Sequence, residues 1–243
     1  MRWSWLAVVC LAFAAHAHAL VIGVYELSPH MVVDTHKEPR GAVVDFVQEV
    51  LVKSGEFPVV EWRVANFARM LRELETGQID MVFMVARNEQ RQKLFRYSSQ
   101  PFFDTRSAVV VSKSGKLATL TSLEQLRQMR VGHAHGSIVP DYLKAMGVDL
   151  YDISGDDYFS RGLKMVELNR LDAYFAPTLS NAQYLFKTYD GADALSVQAL
   201  PVEPLGLYVV FAKSMDEKTF ARLDALITAR IARYRTLLQP YIR

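Results

Sequence analysis

Residues 77–103 read GQIDMVFMVARNEQRQKLFRYSSQPFF, an apolar segment followed by a polar one that is rich in arginine. Residues 79–85 are apolar enough for a strand inside a sheet, and Pro101 opens a second apolar segment. Arg87, Arg91 and Arg96 lie in the polar sequence between them. Three explanations fit guanidinium groups in this position: a catalytic site, a site that captures an anion, or a solvated helix face.

Strands and helices alternate before this segment. A strand is predicted at 20–25, a helix from Val43 to Leu51 and a strand at 58–64. The next helix has Asn66 at its start and Gly77 at its end, which are residue types that cap and terminate helices. This βαβαβ order predicts a parallel sheet with helices on both faces.

A second unit of similar order follows. It comes after a strand at 107–113, and its own strands are predicted at 130–134, 148–153 and 171–176, with helices between them. A further strand is predicted at 206–213, and one long amphipathic helix ends the chain. Ligands in open α/β sheets bind at the carboxyl ends of the strands. The loops that follow strands are therefore candidates for a binding site: 25–31, 85–91, 133–137 and 175–178.

Length and composition set broad limits. The chain has 243 residues, enough for one large domain or two small lobes. Apolar residues make up 51% and charged residues 22%, which is typical of a globular protein. A formal net charge of +2 gives no basic excess for neutralising phosphates, which argues against a nucleic-acid-binding protein.

Residues 1–19 have the features of a secretory signal peptide: one basic residue, an apolar run over 5–15 and Ala-x-Ala at 17–19. Cleavage is expected before Leu20. A membrane anchor is the alternative, but the apolar run is shorter than the roughly 20 residues of a spanning helix. Cleavage would remove Cys10, the one cysteine, and a cysteine-free protein fits a bacterial periplasm. The mature protein is expected to be soluble and monomeric.

Seven segments, taken in order, resemble the bacterial extracellular solute-binding proteins of family 3, which serve polar amino-acid ABC transporters. They are IGVYELSP, RGAVVDFVQEVL, ARMLRELETGQID, NEQRQKLFRYSSQPF, SLEQLRQMRVGHAHGS, NRLDAYFA and GLYVVFAK. The resemblance implies the α/β fold of type II periplasmic binding proteins, whose two lobes close over a small ligand. Each lobe would be a mainly parallel sheet flanked by helices. Two crossing strands would join lobe 1, 20–104 plus 204–243, to lobe 2, 105–203.

The resemblance assigns the ligand's α-carboxylate to Arg91, the arginine of the family's Glu-x-Arg element, here with Glu89. A guanidinium suits this role because its planar fork matches a carboxylate and stays charged. Arg87 and Arg69 are further candidates for the same site. The alternative for each arginine is an ion pair with a surface carboxylate.

Two departures from the family pattern favour an anionic ligand over a zwitterion. The family has an acidic residue for the ligand's ammonium group just after the strand at 171–176, where this chain has Ala176 and Pro177. The family is commonly rich in Ser and Thr where this chain has MVAR, beginning at Met84. Glu26 either replaces the missing acid from the other lobe or points to solvent.

Other candidates would contact a ligand through backbone groups or rings. Gly136 and Ser137 precede a predicted helix and can present backbone N–H groups to an anion, or they form only a tight turn. Tyr25, Phe67 and Tyr174 supply either apolar walls of the site or parts of the core.

A metal site is a weaker alternative. His30, His36, His133 and His135 are the candidates, but they come in pairs from different lobes without a cysteine. Structural metal motifs have tighter spacing. No metal or other cofactor is therefore expected.

Two further alternatives concern catalysis and signalling. An enzyme similar to cyclohexadienyl dehydratase would use Glu26 as general acid, but no motif for a nucleophile or a phosphate loop accompanies it. In the other alternative, the protein binds a ligand and acts as the partner of a membrane sensor. The expected partners are therefore a small amino acid or carboxylate and a membrane permease or sensor.

Overall fold

The computed structural model describes residues 19–33, 38–135, 139–154 and 158–242. Most of the predicted signal peptide lies outside the described residues, as do Gly136, Ser137 and His36. The described elements are, in order, β1 (Leu20–Val24), β2 (Val32–Val33), β3 (Pro39–Arg40), α1 (Ala42–Val47), β4 (Val60–Val64), α2 (Phe67–Glu75), β5 (Met81–Ala86), α3 (Glu89–Leu94), β6 (Phe95–Tyr97), β7 (Phe103–Thr105), β8 (Ala108–Ser112), β9 (Arg130–Ala134), α4 (Asp141–Ala145), β10 (Asp149–Ile153), α5 (Tyr158–Glu167), β11 (Ala173–Ala176), α6 (Leu179–Phe186), β12 (Leu195–Ala199), β13 (Leu205–Ala212), α7 (Glu217–Thr228) and α8 (Ile231–Ile242). Helix α1 continues as a π-helical segment, Gln48–Val52, and 3-10 turns cover Leu123–Leu126 and Ala192–Ala194.

The first sheet has the strand order β4-β1-β5-β13-β6, with β7 beside β13. Strand β1 pairs in parallel with β4 and β5, and helices α1 and α2 connect these three strands in chain order. This is the predicted βαβαβ unit. Strand β13 returns from the C-terminal part of the chain and pairs antiparallel with β5, β6 and β7.

The second sheet has the order β10-β9-β11-β8-β12. Strand β9 pairs in parallel with β10 and β11, whereas β8 pairs antiparallel with β11 and β12. The prediction of mainly parallel sheets therefore holds for the βαβ units and needs correction at β8, β12 and β13. The chain enters the second sheet along β8 and leaves it along β12, and no helix interrupts the described stretches 105–108 and 199–205 that link these strands to β7 and β13.

Two short segments join the sheets, one after β7 and one between β12 and β13. At the first sheet, Thr105 pairs with Leu205. At the second, the N–H of Leu200 donates to the carbonyl oxygen of Ser107 at 2.8 Å. The crossing segments are thus hydrogen-bonded to each other at both ends.

Each sheet has a hydrophobic core of its own. In the first, Phe102 is buried among aromatic rings of α1, β5 and α8. In the second, β8 is buried over its whole length because its side chains alternate between two covered faces. Val109 and Val111 belong to the core on one face and Val110 to the core on the other. Separate cores of this kind are what a two-lobed fold requires.

Residue types in the sequence predicted some of the helix ends correctly and missed others. Asn66 caps α2 by accepting the N–H of Arg69 at 3.0 Å, and Gly77 beyond that helix has φ 73°. The sequence predicts one long C-terminal helix, but the structure has two, α7 and α8, with a break at 229–230. Nothing in the sequence marks this break, because neither residue there is glycine or proline. Within the described ranges, no helix combines the length and apolar character needed to cross a bilayer.

Candidate functional site

A cavity of about 340 Å³ lies between the two sheets. The carboxyl ends of β1, β5, β9 and β11 lead into its walls, as expected for an open α/β sheet. Its lining comes from both sheets and the segment between them: Tyr25, Glu26, Leu27, Ser28, Phe67, Met84, Ala86, Arg91, Thr105, Ser107, Ala134, Pro140, Tyr158, Tyr174, Phe175, Pro177, Thr178, Asn181, Leu205 and Leu207. The volume is in the range of small-molecule sites.

Arg91 reaches the cavity from α3, a short helix after β5. Asn88 caps this helix by accepting the N–H of Arg91 at 2.8 Å. The guanidinium lies 5.2 Å from the centroid of the Phe67 ring and donates through Nη1 to the carbonyl oxygen of Ala86 at 3.0 Å. These contacts hold a half-buried positive charge on the wall of the cavity, where a carboxylate would be its natural partner.

Tyr25 and Met84 form the adjoining wall. The Tyr25 hydroxyl donates to the carbonyl oxygen of Met84 at 2.7 Å, and its ring centroid lies 4.7 Å from that of Phe67. Burial raises the pKa of Tyr25 and outweighs the opposing effect of the Arg91 charge, so this hydroxyl keeps its proton. Met84 has φ 63°, a left-handed conformation that costs a residue with a side chain about 1–2 kcal/mol. It lies where the register between β5 and β13 shifts.

Glu26 is the one carboxylate among the described residues that line the cavity. It is exposed, and both of its oxygens have partners. Oε1 accepts from the Ser28 hydroxyl, and Oε2 accepts from the N–H of Val33 at 2.8 Å. Across the cavity, burial and the Glu26 charge raise the pKa of Tyr158. Glu26 therefore holds its own loop while its charge still acts on the opposite wall.

The wall from the second sheet carries no charge where the family pattern has an acid. Strand β11 ends at Ala176, and the carbonyl oxygen of Pro177 accepts from the Ser107 hydroxyl at 3.2 Å. Tyr174 is buried with its ring perpendicular to that of Phe159, at a centroid distance of 5.2 Å. This side of the cavity offers rings, proline and backbone to a ligand.

Residues 20–239 match the family of bacterial extracellular solute-binding proteins, family 3. The chain belongs to this family. Its fold is that of the type II periplasmic binding proteins. No curated protein sequence matches this solute-binding protein.

Three solved structures share the fold of the solute-binding protein. An ancestral arginine-binding protein bound to arginine has TM-score 0.71 and 20% identity, covering 93% of this chain and 98% of that one. A histidine kinase sensor domain with similarity to periplasmic binding proteins has TM-score 0.70 and 17% identity, covering 93% of this chain and 96% of that one. An ancestral amino acid-binding protein, described as a precursor of cyclohexadienyl dehydratase, has TM-score 0.70 and 18% identity, covering 93% of this chain and 95% of that one.

The solute-binding protein brings seven of the residues predicted from sequence together in the cavity: Tyr25, Glu26, Phe67, Met84, Arg91, Tyr174 and Pro177. Arg87 and Arg69 do not line it. Arg87 lies 4.9 Å and 4.0 Å from the ring centroids of Tyr97 and Tyr208 and donates to a backbone carbonyl. Arg69 is mostly exposed and pairs with Glu73 at 2.6 Å. Gly136 and Ser137 lie outside the described residues.

Contacts between the two lobes of the solute-binding protein left no signal in the sequence. Asn181 Nδ2 donates to the carbonyl oxygen of Ser28 at 2.7 Å. Beside it, His30 is fully buried and hydrogen-bonds to Ser180 at 2.6 Å and to the hydroxyl of Tyr234. Burial lowers the pKa of His30 to about 3, so its ring is neutral at pH 7. Other lining residues, such as Thr105 and Leu207, were not predicted from sequence. They line the cavity because they lie near the segments where the chain crosses between the sheets.

The histidines weighed as metal ligands have other partners. His133 Nε2 and His135 Nδ1 each lie 3.1 Å from an oxygen of Asp152. His30 faces two hydroxyl groups. In the part of the chain that the structure describes, no group of three or more His, Cys, Asp or Glu residues is arranged to hold a metal ion.

Proposed function

We propose that this protein captures a small carboxylate between its lobes in the periplasm and presents it to an ABC-type permease. The observation that carries the proposal is the position of Arg91 on the wall of the cavity between the two sheets. One N–H of its guanidinium donates to Ala86 among the described residues, and the remaining N–H groups are available to an anion. A bidentate guanidinium–carboxylate contact is the strong, directional interaction suited to this place.

The membership of the sheets supports the proposed lobe boundaries. The first sheet takes its strands from 20–105 and 205–212, and the second takes its strands from 108–199. Lobe 1 is accordingly proposed as 20–104 plus 204–243 and lobe 2 as 105–203. Export is proposed to remove residues 1–19, and the match to an extracellular protein family begins at residue 20. The cognate membrane partner is a permease, with a sensor as the alternative.

Calorimetry with a panel of amino acids, small carboxylates and amines tests the proposal. Arg91→Ala is expected to weaken carboxylate binding about ten- to a hundredfold, because hydrogen bonds to a charged group contribute about 1.5–3 kcal/mol. The matched control is Arg96→Ala, since Arg96 pairs with Glu217 at 2.9 Å on the outside of the same lobe. Binding in hundredfold excess over Kd also raises apparent stability by about 2.7 kcal/mol. Full affinity in Arg91→Ala would refute the anchor, and no carboxylate binding would refute the ligand class.

A second candidate function is elimination or dehydration of a small carboxylic acid. The observation that favours it is the presence of Glu26 and Arg91 in one cavity, where one could protonate a leaving group while the other holds a carboxylate. Incubation of candidate cyclic carboxylic acids with the protein distinguishes the two functions. A binding protein returns the ligand unchanged, whereas an enzyme releases product at a rate that Glu26→Gln abolishes.

A further inference from the structure

We infer that the ligand is a monocarboxylate with an aromatic or similarly bulky apolar body, bound without an ion pair to an ammonium group. This inference rests on the proposed function of the cavity and defines its ligand class. It follows from which polar groups of the cavity remain available, from the character of the walls and from the volume.

Most polar side chains of the lining are already hydrogen-bonded within the protein. The Ser28 hydroxyl donates to Glu26, and the Ser107 hydroxyl donates to the carbonyl oxygen of Pro177 at 3.2 Å. The side-chain amide of Asn181 donates to the Ser28 carbonyl oxygen at 2.7 Å. The two serines thus use their one donor within the protein, and Asn181 uses one of its two amide N–H groups there.

Two more hydroxyl groups of the lining are hydrogen-bonded within the protein. Tyr25 donates to Met84 at 2.7 Å, and Thr178 caps α6 by accepting the N–H of Asn181 at 3.1 Å. Arg91 differs, because one of its N–H groups is used by a backbone carbonyl among the described residues and several are left. Among the described residues that line the cavity, Arg91 is the one positively charged side chain, and it suits a single carboxylate.

No acid directly follows β11, where the family pattern places the partner of a ligand's ammonium group. Glu26 already accepts two hydrogen bonds that hold the loop from 26 to 33. On the opposite wall, β11 is followed by Pro177, which has neither charge nor N–H. A ligand ammonium group buried there would lose its hydration without gaining an ion pair, which is costly.

Rings and long apolar side chains make up the rest of the walls. Phe67, Tyr158 and Tyr174 come from both lobes, and Met84 and Leu207 come from β5 and β13 of the first sheet. Aromatic rings favour other rings in offset or edge-on contact, and methionine also packs well against them. The volume of about 340 Å³ is roughly twice that of a 150 Å³ cavity known to hold benzene. One ring with a short carboxylate-bearing chain fits this space.

Titration calorimetry on protein refolded free of copurified ligand tests the inference. The probes are 3-phenylpropanoate, L-phenylalanine, propanoate, L-glutamate and L-arginine. The expected result is that 3-phenylpropanoate binds at least tenfold more tightly than propanoate, L-glutamate and L-arginine, and no more weakly than L-phenylalanine. Tightest binding of L-glutamate or L-arginine, with loss of that binding in Arg91→Ala, would overturn this inference and leave the proposed function intact. Failure of all probes to bind would overturn both.

A substitution at Pro177 tests the argument about the missing acid. Pro177→Asp is expected to shift the affinity ratio of L-phenylalanine to 3-phenylpropanoate at least tenfold toward the amino acid. Pro177→Asn is the control, because asparagine has nearly the same shape as aspartate but no charge. This variant should change the affinity ratio less than threefold. Equal ratios in the two variants would mean that this position does not face the ligand's α-carbon and would overturn that argument.

Discussion

Nε2 of His30 lies 2.6 Å from the hydroxyl oxygen of Ser180, 150 residues further along the chain and on the other lobe. Its other ring nitrogen is hydrogen-bonded to the hydroxyl of Tyr234 in α8. The ring is fully buried and neutral, so both of its nitrogens find their partners inside the protein. This contact ties the loop after β1 to helix α6 beside the cavity.

Removal of this side chain is expected to destabilise the protein. His30→Ala would leave the hydroxyl groups of Ser180 and Tyr234 without their partner and open a cavity, lowering the free energy of unfolding by about 2–4 kcal/mol. Urea unfolding measures this change. His135→Ala is the control, since the His135 side chain is 68% exposed and its loss should cost at most about 0.5 kcal/mol. Similar effects of the two substitutions would contradict the role given to His30.

Acid is expected to weaken the fold through the same residue. The pKa of His30 is 6.5 in an unfolded chain and is lowered to about 3 in the folded protein. Between these values the unfolded state binds a proton that the folded state does not, so stability falls as pH falls from 6.5 toward 3. The loss from pH 7 to pH 5 is about 2 kcal/mol. Tyr234 does not contribute, because burial raises its pKa well above 10.

Unfolding curves measured between pH 5 and pH 7 test this dependence. The slope of unfolding free energy against pH gives the number of protons taken up on unfolding. In His30→Gln this number should be smaller by about one than in the unmodified protein. Every other ionisable group is common to both proteins, so its contribution cancels in the comparison. An unchanged slope would show that His30 does not carry the effect.

The cap of α3 is expected to matter for ligand affinity as well as for stability. Asn88→Ala removes the acceptor for the N–H of Arg91 and costs about 1 kcal/mol of stability. Because Arg91 lies in this first turn, the guanidinium also loses its fixed position and carboxylate affinity falls. Asp216→Ala is the control, since Asp216 caps α7 in the same way and α7 does not line the cavity. Carboxylate affinity equal in both variants would contradict the link between cap and anchor.

Glu26→Gln separates the two roles that the sequence leaves open for this residue. The amide oxygen can still accept a hydrogen bond, while the negative charge is lost from the cavity wall. If the charge only opposes an anionic ligand, carboxylates bind about two- to fivefold more tightly in the variant at moderate salt, as expected for charges near a surface. A tenfold loss of amino-acid affinity would instead identify Glu26 as the partner of an ammonium group.

The fold followed from sequence where the physical cause was local. Asn66, Gly77 and the apolar residues between them define α2 without help from the rest of the chain. The order of motifs, from the Glu-x-Arg element to the strand before Pro177, then supplied the family and its two lobes. Arg91 could be placed in the site because its position within that order is fixed.

The remaining features depend on contacts between distant parts of the chain. Arg87 and Arg91 are only four positions apart, yet one is stacked on Tyr97 and Tyr208 while the other lines the cavity. The separation arises because Arg87 directly follows β5 and Arg91 belongs to α3. Likewise, nothing near His30 indicates a contact with Ser180, since that contact exists only once both lobes have formed.

The paired segments between the sheets limit how the two halves can move. Thr105 pairs with Leu205, and Leu200 is bonded to Ser107, so the two crossings form one narrow ribbon. Such a ribbon flexes across its flat face but resists shear, because sliding one edge past the other would break its rungs. We expect the halves to move mainly by rotation about this ribbon, so that closure brings the same side chains into opposition across the gap.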